Sequence, residues 1–199
     1  MSYKNEFKNC LDGLFESLCD VSDWMYENPE LGFQEFKTSK YLVDYIQKNS
    51  KSVNYPSHGL ETAFDITFGE EGPLTVICVE YDALPEIGHA CGHNIIATAS
   101  IGAGLSLKDI ASKLGIRVKL LGTPAEEGGG GKIILINEGA FEDASCSMMI
   151  HPGYEDVVNP TFTTIEQYTV EYFGKDAHAA GAPDQGINAL DAQIQLFVN

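Results

Sequence analysis

Two stretches near the start of the chain have apolar residues spaced three and four positions apart, and this spacing predicts two amphipathic helices. The apolar positions of the first are Phe7, Leu11, Leu14, Leu18, Val21 and Met25, and those of the second are Phe36, Tyr41, Leu42, Tyr45 and Ile46. The segment Asn28-Pro29-Glu30-Leu31-Gly32 lies between them. Proline and glycine disfavour a helix, so we expect this segment to end the first one.

Further along, short apolar runs alternate with helical patterns. Thr62 to Phe68 alternates as a half-buried strand does, and Leu74 to Tyr81 is nearly continuously apolar, as in a central parallel strand. The next predicted elements are a helix over Ile95 to Leu114 capped by Asn94, a strand over Arg117 to Leu121, a helix over Gly131 to Asn137 closed by Gly139, and a strand over Ser147 to Ile150. This β-α-β-α-β order predicts an α/β fold with a largely parallel sheet.

The pattern changes near residue 163. Thr164 to Phe173 resembles an antiparallel-type strand, and a small-residue loop, Gly174 to Gly181, leads to a helical pattern over Asn188 to Val198. We therefore expect two parts, a catalytic domain over 1–162 and the start of a second, smaller α+β domain over 163–199. The last helical pattern has no capping or terminating residue, so we interpret the sequence as an N-terminal fragment.

Composition narrows the classes of function. The 199 residues are 44% hydrophobic and 21% charged, with a formal net charge of −17, which argues against binding nucleic acid or an anionic membrane. The excess of acid suits solubility, and attraction of a cationic substrate is a second interpretation. No apolar run is long enough for a membrane span, the start is polar, and the five cysteines form no disulfide framework. We expect a cytoplasmic protein.

Candidate catalytic or metal-binding residues follow each of the three predicted parallel strands. The hexapeptide His89-Ala90-Cys91-Gly92-His93-Asn94 and Asp82 follow the first, Glu126 and Glu127 follow the second, and His151 follows the third. The carboxyl ends of parallel strands meet at one edge of a sheet, where sites gather in open α/β folds. The sequence therefore predicts one site built from three strand ends.

The residue types at these ends suit a hydrolytic metal site. The candidate metal ligands are Cys91, His93, Glu127 and His151. A mixed sulfur, nitrogen and oxygen set suits zinc, with manganese and cobalt left open. Asp82 is placed to orient a ligand histidine, and Glu126 to move a proton as general base and acid.

Other interpretations are weaker on the residues alone. Cys91 as a nucleophile with His93 as its base stays open, and His89 more simply supports the turn than binds metal. The glycine run is no phosphate loop because Lys132 is followed by Ile133, and there is no G-x-S-x-G elbow or deaminase signature.

The motifs together resemble a known family. They are Glu27-Asn28-Pro29-Glu30-Leu31-Gly32-Phe33, Asp82-Ala83-Leu84-Pro85, His89-Ala90-Cys91-Gly92-His93, Pro124-Ala125-Glu126-Glu127-Gly128-Gly129-Gly130, His151-Pro152 and His178-Ala179-Ala180. The chain is similar to the aminoacylase/carboxypeptidase-type metallo-amidohydrolases, in the branch of auxin-conjugate, hippurate and aminobenzoyl-glutamate hydrolases. Asn94 and the segment Gly122-Thr123-Pro124, which precedes the two glutamates, are most like the Xaa-Arg/Lys dipeptidase-like subgroup.

The resemblance implies a phosphorylase/hydrolase-like catalytic domain with two metal ions and an inserted lid domain that mediates homodimerisation. It implies that His178 is a lid histidine that reaches the substrate, and that a further histidine beyond this sequence completes the metal site. The expected activity is hydrolysis of the amide bond in an N-acyl amino acid or dipeptide with a free carboxylate. The alternatives are a non-catalytic metal-binding or regulatory homologue and an inactive fragment.

Overall fold

The computed structural model describes residues 2–158, 160–161, 163–164, 166 and 168–199. Its helices are α1 (Tyr3–Glu27), α2 (Phe36–Asn49), α3 (His93–Leu107), α4 (Ala111–Leu114), α5 (Gly131–Asn137) and α6 (Ala189–Val198). Its strands are β1 (Asp65–Phe68), β2 (Leu74–Val79), β3 (Arg117–Gly122) and β4 (Ala144–Met148). The chain divides into two compact units, Met1–Tyr154 and Glu155–Asn199.

The first unit is organised on a mixed sheet with the strand order β1-β3-β2-β4. β2 pairs in parallel with both β3 and β4, while β1 pairs antiparallel to β3, from Asp65 opposite Leu121 to Phe68 opposite Val118. β2 is the central strand, and its apolar run is buried on both faces, as the sequence predicts. The prediction of an α/β fold with a largely parallel sheet is confirmed.

Apolar layers cover both faces of the sheet. Ile77 and Val79 belong to a cluster shared with the buried faces of α1, α2 and α3, whereas Val76 and Cys78 pack with Leu135 of α5 on the opposite face. Successive residues of a strand point to opposite faces, so one apolar strand serves both layers. No helix among the described residues is both long and apolar enough to cross a membrane.

Several predicted boundaries are wrong for identifiable reasons. Asn94 does not cap α3: Gly92, with a φ of 78°, turns the chain into the helix two residues earlier. The Asn94 side chain instead donates a hydrogen bond to Ser22 Oγ of α1 at 3.0 Å. The helix predicted to reach Leu114 breaks after Leu107, where the Lys108 amide bonds back to the Leu105 carbonyl and tightens the last turn.

The last strand of the sheet begins earlier than predicted, at Ala144 rather than at Ser147. Asp143 has a φ of 62° and turns the chain into β4, which lies at the sheet edge and is mostly exposed. One solvated face and an edge position leave no long apolar run by which the sequence pattern could locate it.

The second unit has little regular structure in its described residues. Lys175 and Ile187 form an isolated antiparallel bridge, and Asn188 caps α6 by accepting a hydrogen bond from the Leu190 amide at 3.1 Å. The predicted strand over Thr164 to Phe173 includes Ile165 and Gln167, which lie outside the described residues. The described residues of that stretch lie in no strand, so the prediction is wrong for them. A lid domain from residue 163 onward stays a prediction.

Candidate metal centre

The carboxyl ends of β2, β3 and β4 bring the candidate side chains together. Glu80 and Asp82 follow β2, Glu126 and Glu127 follow β3, and His151 lies beyond β4. Two groups of three residues could each hold a metal ion, because within each group one ligand atom per residue lies within 4.8 Å of the others. The first group is Glu80, His93 and His151, and the second is His93, Glu126 and Glu127. His93 is common to both groups, and it is the centre of the arrangement.

His93 is the first residue of α3 and is buried. Its Nδ1 lies 2.9 Å from the Asp82 carbonyl oxygen and 3.2 Å from Asp82 Oδ1. Both partners are acceptors, so Nδ1 carries the hydrogen and donates it, and Nε2 keeps its lone pair when the ring is neutral. That lone pair faces Glu126 Oε2 and Glu127 Oε1, each 3.8 Å away, and has no hydrogen-bond partner among the described residues.

Asp82 connects the histidine to the second strand end. Its Oδ2 accepts a hydrogen bond from the Glu127 amide at 2.8 Å, while Oδ1 faces His93. Burial by itself raises the pKa of Asp82, but the hydrogen bonds from the His93 ring and the Glu127 amide outweigh it, and the pKa falls below its usual value. The geometry suits the orienting role predicted for Asp82.

The turn that carries Glu126 and Glu127 has a strained backbone. Ala125, directly before them, has a φ of 57°, in the left-handed region that a residue with a Cβ seldom adopts. Its amide donates to Oε1 of the buried Glu35 at 2.8 Å, and its carbonyl accepts from Gly131 at 3.1 Å. A Cβ on Gly131 would lie 1.9 Å from the Pro124 carbonyl oxygen, so the turn requires glycine there.

Glu126 has the environment of a proton-transfer group. Burial is the largest cause that raises its pKa, and the negative charge of Glu80 adds to it. A carboxyl whose pKa is raised toward neutrality is a better general base and acid. Glu126 therefore has a raised pKa beside His93 and Glu127, and its role in proton transfer stays a prediction.

His151 and Cys91 complete the predicted ligand set with different geometries. The His151 ring meets His93 edge-on, with centroids 6.2 Å apart, and its Nδ1 lies 2.7 Å from the Pro152 carbonyl oxygen. If Nδ1 donates to that oxygen, the lone pair of Nε2 is free. Cys91 belongs to neither of the two groups described above. A hydrogen bond with the Glu127 carboxylate, helped by burial and nearby acids, raises the pKa of the Cys91 thiol to about 11. That environment opposes a role as a nucleophile, which requires a lowered pKa.

Two further histidines were singled out by the sequence. His89 is buried, and neither of its ring nitrogens has a hydrogen-bond partner among the described residues. Burial and the neighbouring His93 lower its pKa, which keeps it neutral and suits a supporting role. His178 lies in the Glu155–Asn199 unit, where its Nδ1 accepts from the Gly181 amide at 2.9 Å. Its role at the substrate stays a prediction.

Sequence reasoning missed Glu80 and Glu35. Glu80 stands in the apolar run after Val79, a position typical of the core. Its spacing of two from Asp82 was the available signal, because residues i and i+2 of an extended chain share a face. Glu35 offered no such signal, since its partners Ala125 and Thr62 are distant in sequence.

The described donors fit a divalent cation. Four carboxylates lie around the imidazole of His93: Glu80, Asp82, Glu126 and Glu127. Glu80 and Asp82 are buried, while Glu126 and Glu127 are partly exposed, and a cation would stabilise this excess of negative charge. A cavity of about 520 Å³ opens beside it, lined by Tyr26, His89, Cys91, Asn94, His151 and Pro152 among others.

Comparisons with known proteins show which enzymes the chain resembles. No family model matches the chain. It is 37% identical over 203 residues to the mouse Xaa-Arg dipeptidase, covering 95% of this chain and 47% of the relative. It is 31% identical to a subunit of the p-aminobenzoyl-glutamate hydrolase of Escherichia coli K12, covering 87% of this chain and 40% of the relative.

A solved structure agrees with these relatives. It is a Bacillus subtilis protein described as a dinuclear metal binding peptidase from the M20 family, and it superposes with a TM-score of 0.61 at 25% identity, over 68% of this chain and 42% of that one. These relatives and this neighbour are hydrolases of the kind that the sequence motifs resemble, and the predicted resemblance is confirmed. The chain spans about half the length of the curated relatives it matches.

Proposed function

We propose that this protein is a metal-dependent hydrolase of the amide bond in an N-acyl amino acid or dipeptide that has a free carboxylate. The observation that carries the proposal is the grouping of His93 Nε2 with the side chains of Glu126 and Glu127, each 3.8 Å away, at the joined ends of two parallel strands. The names of the relatives support the substrate class: one is a dipeptidase, and the other is a hydrolase of p-aminobenzoyl-glutamate.

The residues divide the chemistry among them. Cys91, His93, Glu127 and His151 would hold the cation, and a bound cation supplies Lewis acidity toward the substrate carbonyl. Asp82 fixes the His93 tautomer through Nδ1, so that Nε2 faces the site. Glu126 accepts a proton from the attacking water at its carboxylate and returns it to the leaving nitrogen.

The finer points of the proposal concern the metal and the assembly. We propose zinc or manganese, with cobalt as a substitute, and two ions per site; the M20 structural neighbour is described as dinuclear. The protein would work as a homodimer through the lid domain, with His178 reaching the substrate, and in the cytoplasm.

Glu126→Gln is the variant that tests this function. We expect it to bind metal as the parent does but to lose at least about 100-fold in turnover, because the amide cannot accept the proton. The measurements are isothermal titration with Zn²⁺ or Mn²⁺ and release of free amino acid from a panel of N-acyl amino acids and dipeptides.

The outcomes separate the competing hypotheses. Metal-depleted parent protein should be inactive and should recover on reloading. Turnover unchanged in Glu126→Gln would reject the role of Glu126. Bound metal without hydrolysis across the panel would instead favour one of the two alternatives, a non-catalytic metal-binding protein or an inactive fragment.

A further inference from the structure

Two buried polar atoms face each other without a hydrogen-bond partner. Glu80 Oε2 and His93 Nε2 lie 3.4 Å apart, and both side chains are 1% exposed. Neither atom has a partner among the described residues. An unsatisfied buried polar atom is costly, so a pair of them in contact calls for an explanation.

The tautomer of His93 makes the contact between Glu80 Oε2 and His93 Nε2 unfavourable in the neutral ring. Its Nδ1 hydrogen is committed to Asp82, so in the neutral ring Nε2 presents a lone pair to a carboxylate oxygen. In the neutral ring these two atoms are both acceptors and repel each other. Against the effect of burial, the neighbouring carboxylates raise the pKa of His93, so either a proton on Nε2 or a bound cation reverses the sign of the interaction.

The separation of the two atoms suits a shared cation. Zinc holds nitrogen and carboxylate ligands at about 2.0–2.2 Å, and two such ligands in a tetrahedral shell lie about 3.3–3.6 Å apart. The observed 3.4 Å falls within that interval. A ligand atom of His151 is grouped with the same two atoms, within 4.8 Å of each.

Lys132, in the first turn of α5, explains how Glu80 is oriented. Its Nζ forms an ion pair with Oε1 of Glu80, the other carboxylate oxygen. One oxygen is thereby occupied by a lysine and the other is directed at His93. Lys132 also balances part of the charge of Glu80, which would otherwise be buried without a counterion.

We propose that Glu80 is an additional metal ligand, binding through Oε2 beside His93 and His151, with Lys132 holding its other oxygen in place. The inference rests on the proposed function only in requiring a divalent cation at this site. It adds Glu80 to the proposed ligands. Glu80 directly follows the apolar run of β2, so by sequence pattern it resembles a core position.

Glu80→Gln tests the assignment, because it keeps the size of the side chain and an oxygen for Lys132 while removing the charge. We expect the affinity for Zn²⁺, measured by isothermal titration, to fall at least about tenfold, since even residues that only support a ligand change metal affinity by about 10–100-fold. Absorption of the Co²⁺-loaded protein should change as well, because one ligand is lost.

Lys132→Met is the matched control, since it breaks the same ion pair but leaves both oxygens of Glu80 free. We expect it to lose clearly less affinity than Glu80→Gln, because Glu80 keeps its charge and both oxygens and loses only the contact that orients it. The double variant Glu80→Gln/Lys132→Met removes both charges and should remain as weak as Glu80→Gln alone. Far-ultraviolet circular dichroism of each variant checks that it is folded.

The possible results are distinct. Parent-like affinity in folded Glu80→Gln would overturn the ligand assignment and leave the metal centre intact. An equal loss in Glu80→Gln and Lys132→Met would also overturn it, because the ion pair alone would then account for the effect. A parent protein that binds neither Zn²⁺ nor Mn²⁺ would refute the proposed function itself.

Discussion

At the scale of single residues, two buried carboxylates fix the backbone on either side of Glu126. Glu35 accepts the amide of Ala125, and Asp82 accepts the amide of Glu127. Ala125 keeps its strained φ because these two hydrogen bonds and the packing of Gly32 hold it in place. Gly32 packs so closely that a Cβ added to it would lie 3.0 Å from the Cα of Ala125. The backbone that carries Glu126 is thus held by residues far away in the sequence.

Glu35 gives a prediction about stability and pH. It is fully buried, and burial is the largest cause that raises its pKa above the usual 4.5. A carboxyl with a raised folded-state pKa contributes stability that is present below the unfolded pKa and is lost as pH rises through the folded pKa. Glu35→Gln stays neutral, so relative to the parent we expect its free energy of unfolding to rise as pH increases from about 4.5 toward 7.

Urea unfolding at several pH values measures this difference. Trp24, which stacks on Tyr41 with ring centroids 4.2 Å apart, is the single tryptophan and reports on the first unit. Glu16→Gln, at an exposed glutamate of α1, controls for the loss of a charge alone. A difference between Glu35→Gln and the parent that does not vary with pH would contradict the prediction.

At the scale of elements, the site depends on how closely α3 packs against the sheet. Small residues on α3 permit this approach. A Cβ on Gly104 would lie 2.5 Å from Leu120 Cγ and Cδ2 of β3, and one on Gly102 would lie 2.8 Å from Leu18 Cδ1 of α1. His93 is at the start of this helix, so the packing of α3 positions its side chain at the site.

Gly104→Ala is therefore expected to destabilise the first unit by about 1–3 kcal/mol, because Leu120 must shift to make room. Gly13→Ala in α1 is the matched control. An added Cβ there meets nothing within 4 Å, and alanine favours a helix over glycine by about 0.5–1 kcal/mol. Urea unfolding measures both, and a Gly104→Ala variant as stable as Gly13→Ala would show that the helix has room to move.

The elements also show which boundaries and site residues a sequence pattern can predict. The boundaries of α5 agree with the prediction to the residue, and the strand-end positions of Glu126 and His151 follow from the alternation of strands and helices. The start of α3 and the edge strand β4 were misplaced, because a left-handed residue and an edge position leave no periodic signal. Glu80 was missed for a different reason: its role depends on the pocket formed with His93 and Lys132, which lie 13 and 52 residues further along the chain.

At the scale of the whole molecule, the chain is acidic and several of its carboxylates lie together at the site. The chain has 29 acidic and 12 basic residues. Asp82, Glu126 and Glu127 all lie at the joined strand ends, and Glu80 with its counterion Lys132 lies beside them. Because like charges in a partly buried site repel each other, this arrangement lowers the stability of the metal-free fold. The same charges make the fold responsive to a divalent cation.

Metal binding should therefore raise the melting temperature of the protein. A ligand at 100 times its dissociation constant stabilises the folded state by about 2.7 kcal/mol, which for a chain of this size is about 5–11 °C. Mn²⁺ or Zn²⁺ should produce this shift in a thermal melt followed by Trp24 fluorescence, and a chelator should reverse it. His93→Gln should abolish the shift because His93 belongs to both groups of candidate ligands, whereas His58→Gln should keep it because His58 belongs to neither and pairs with Asp65 instead. A shift that survives in His93→Gln would place the stabilising cation elsewhere on the acidic surface.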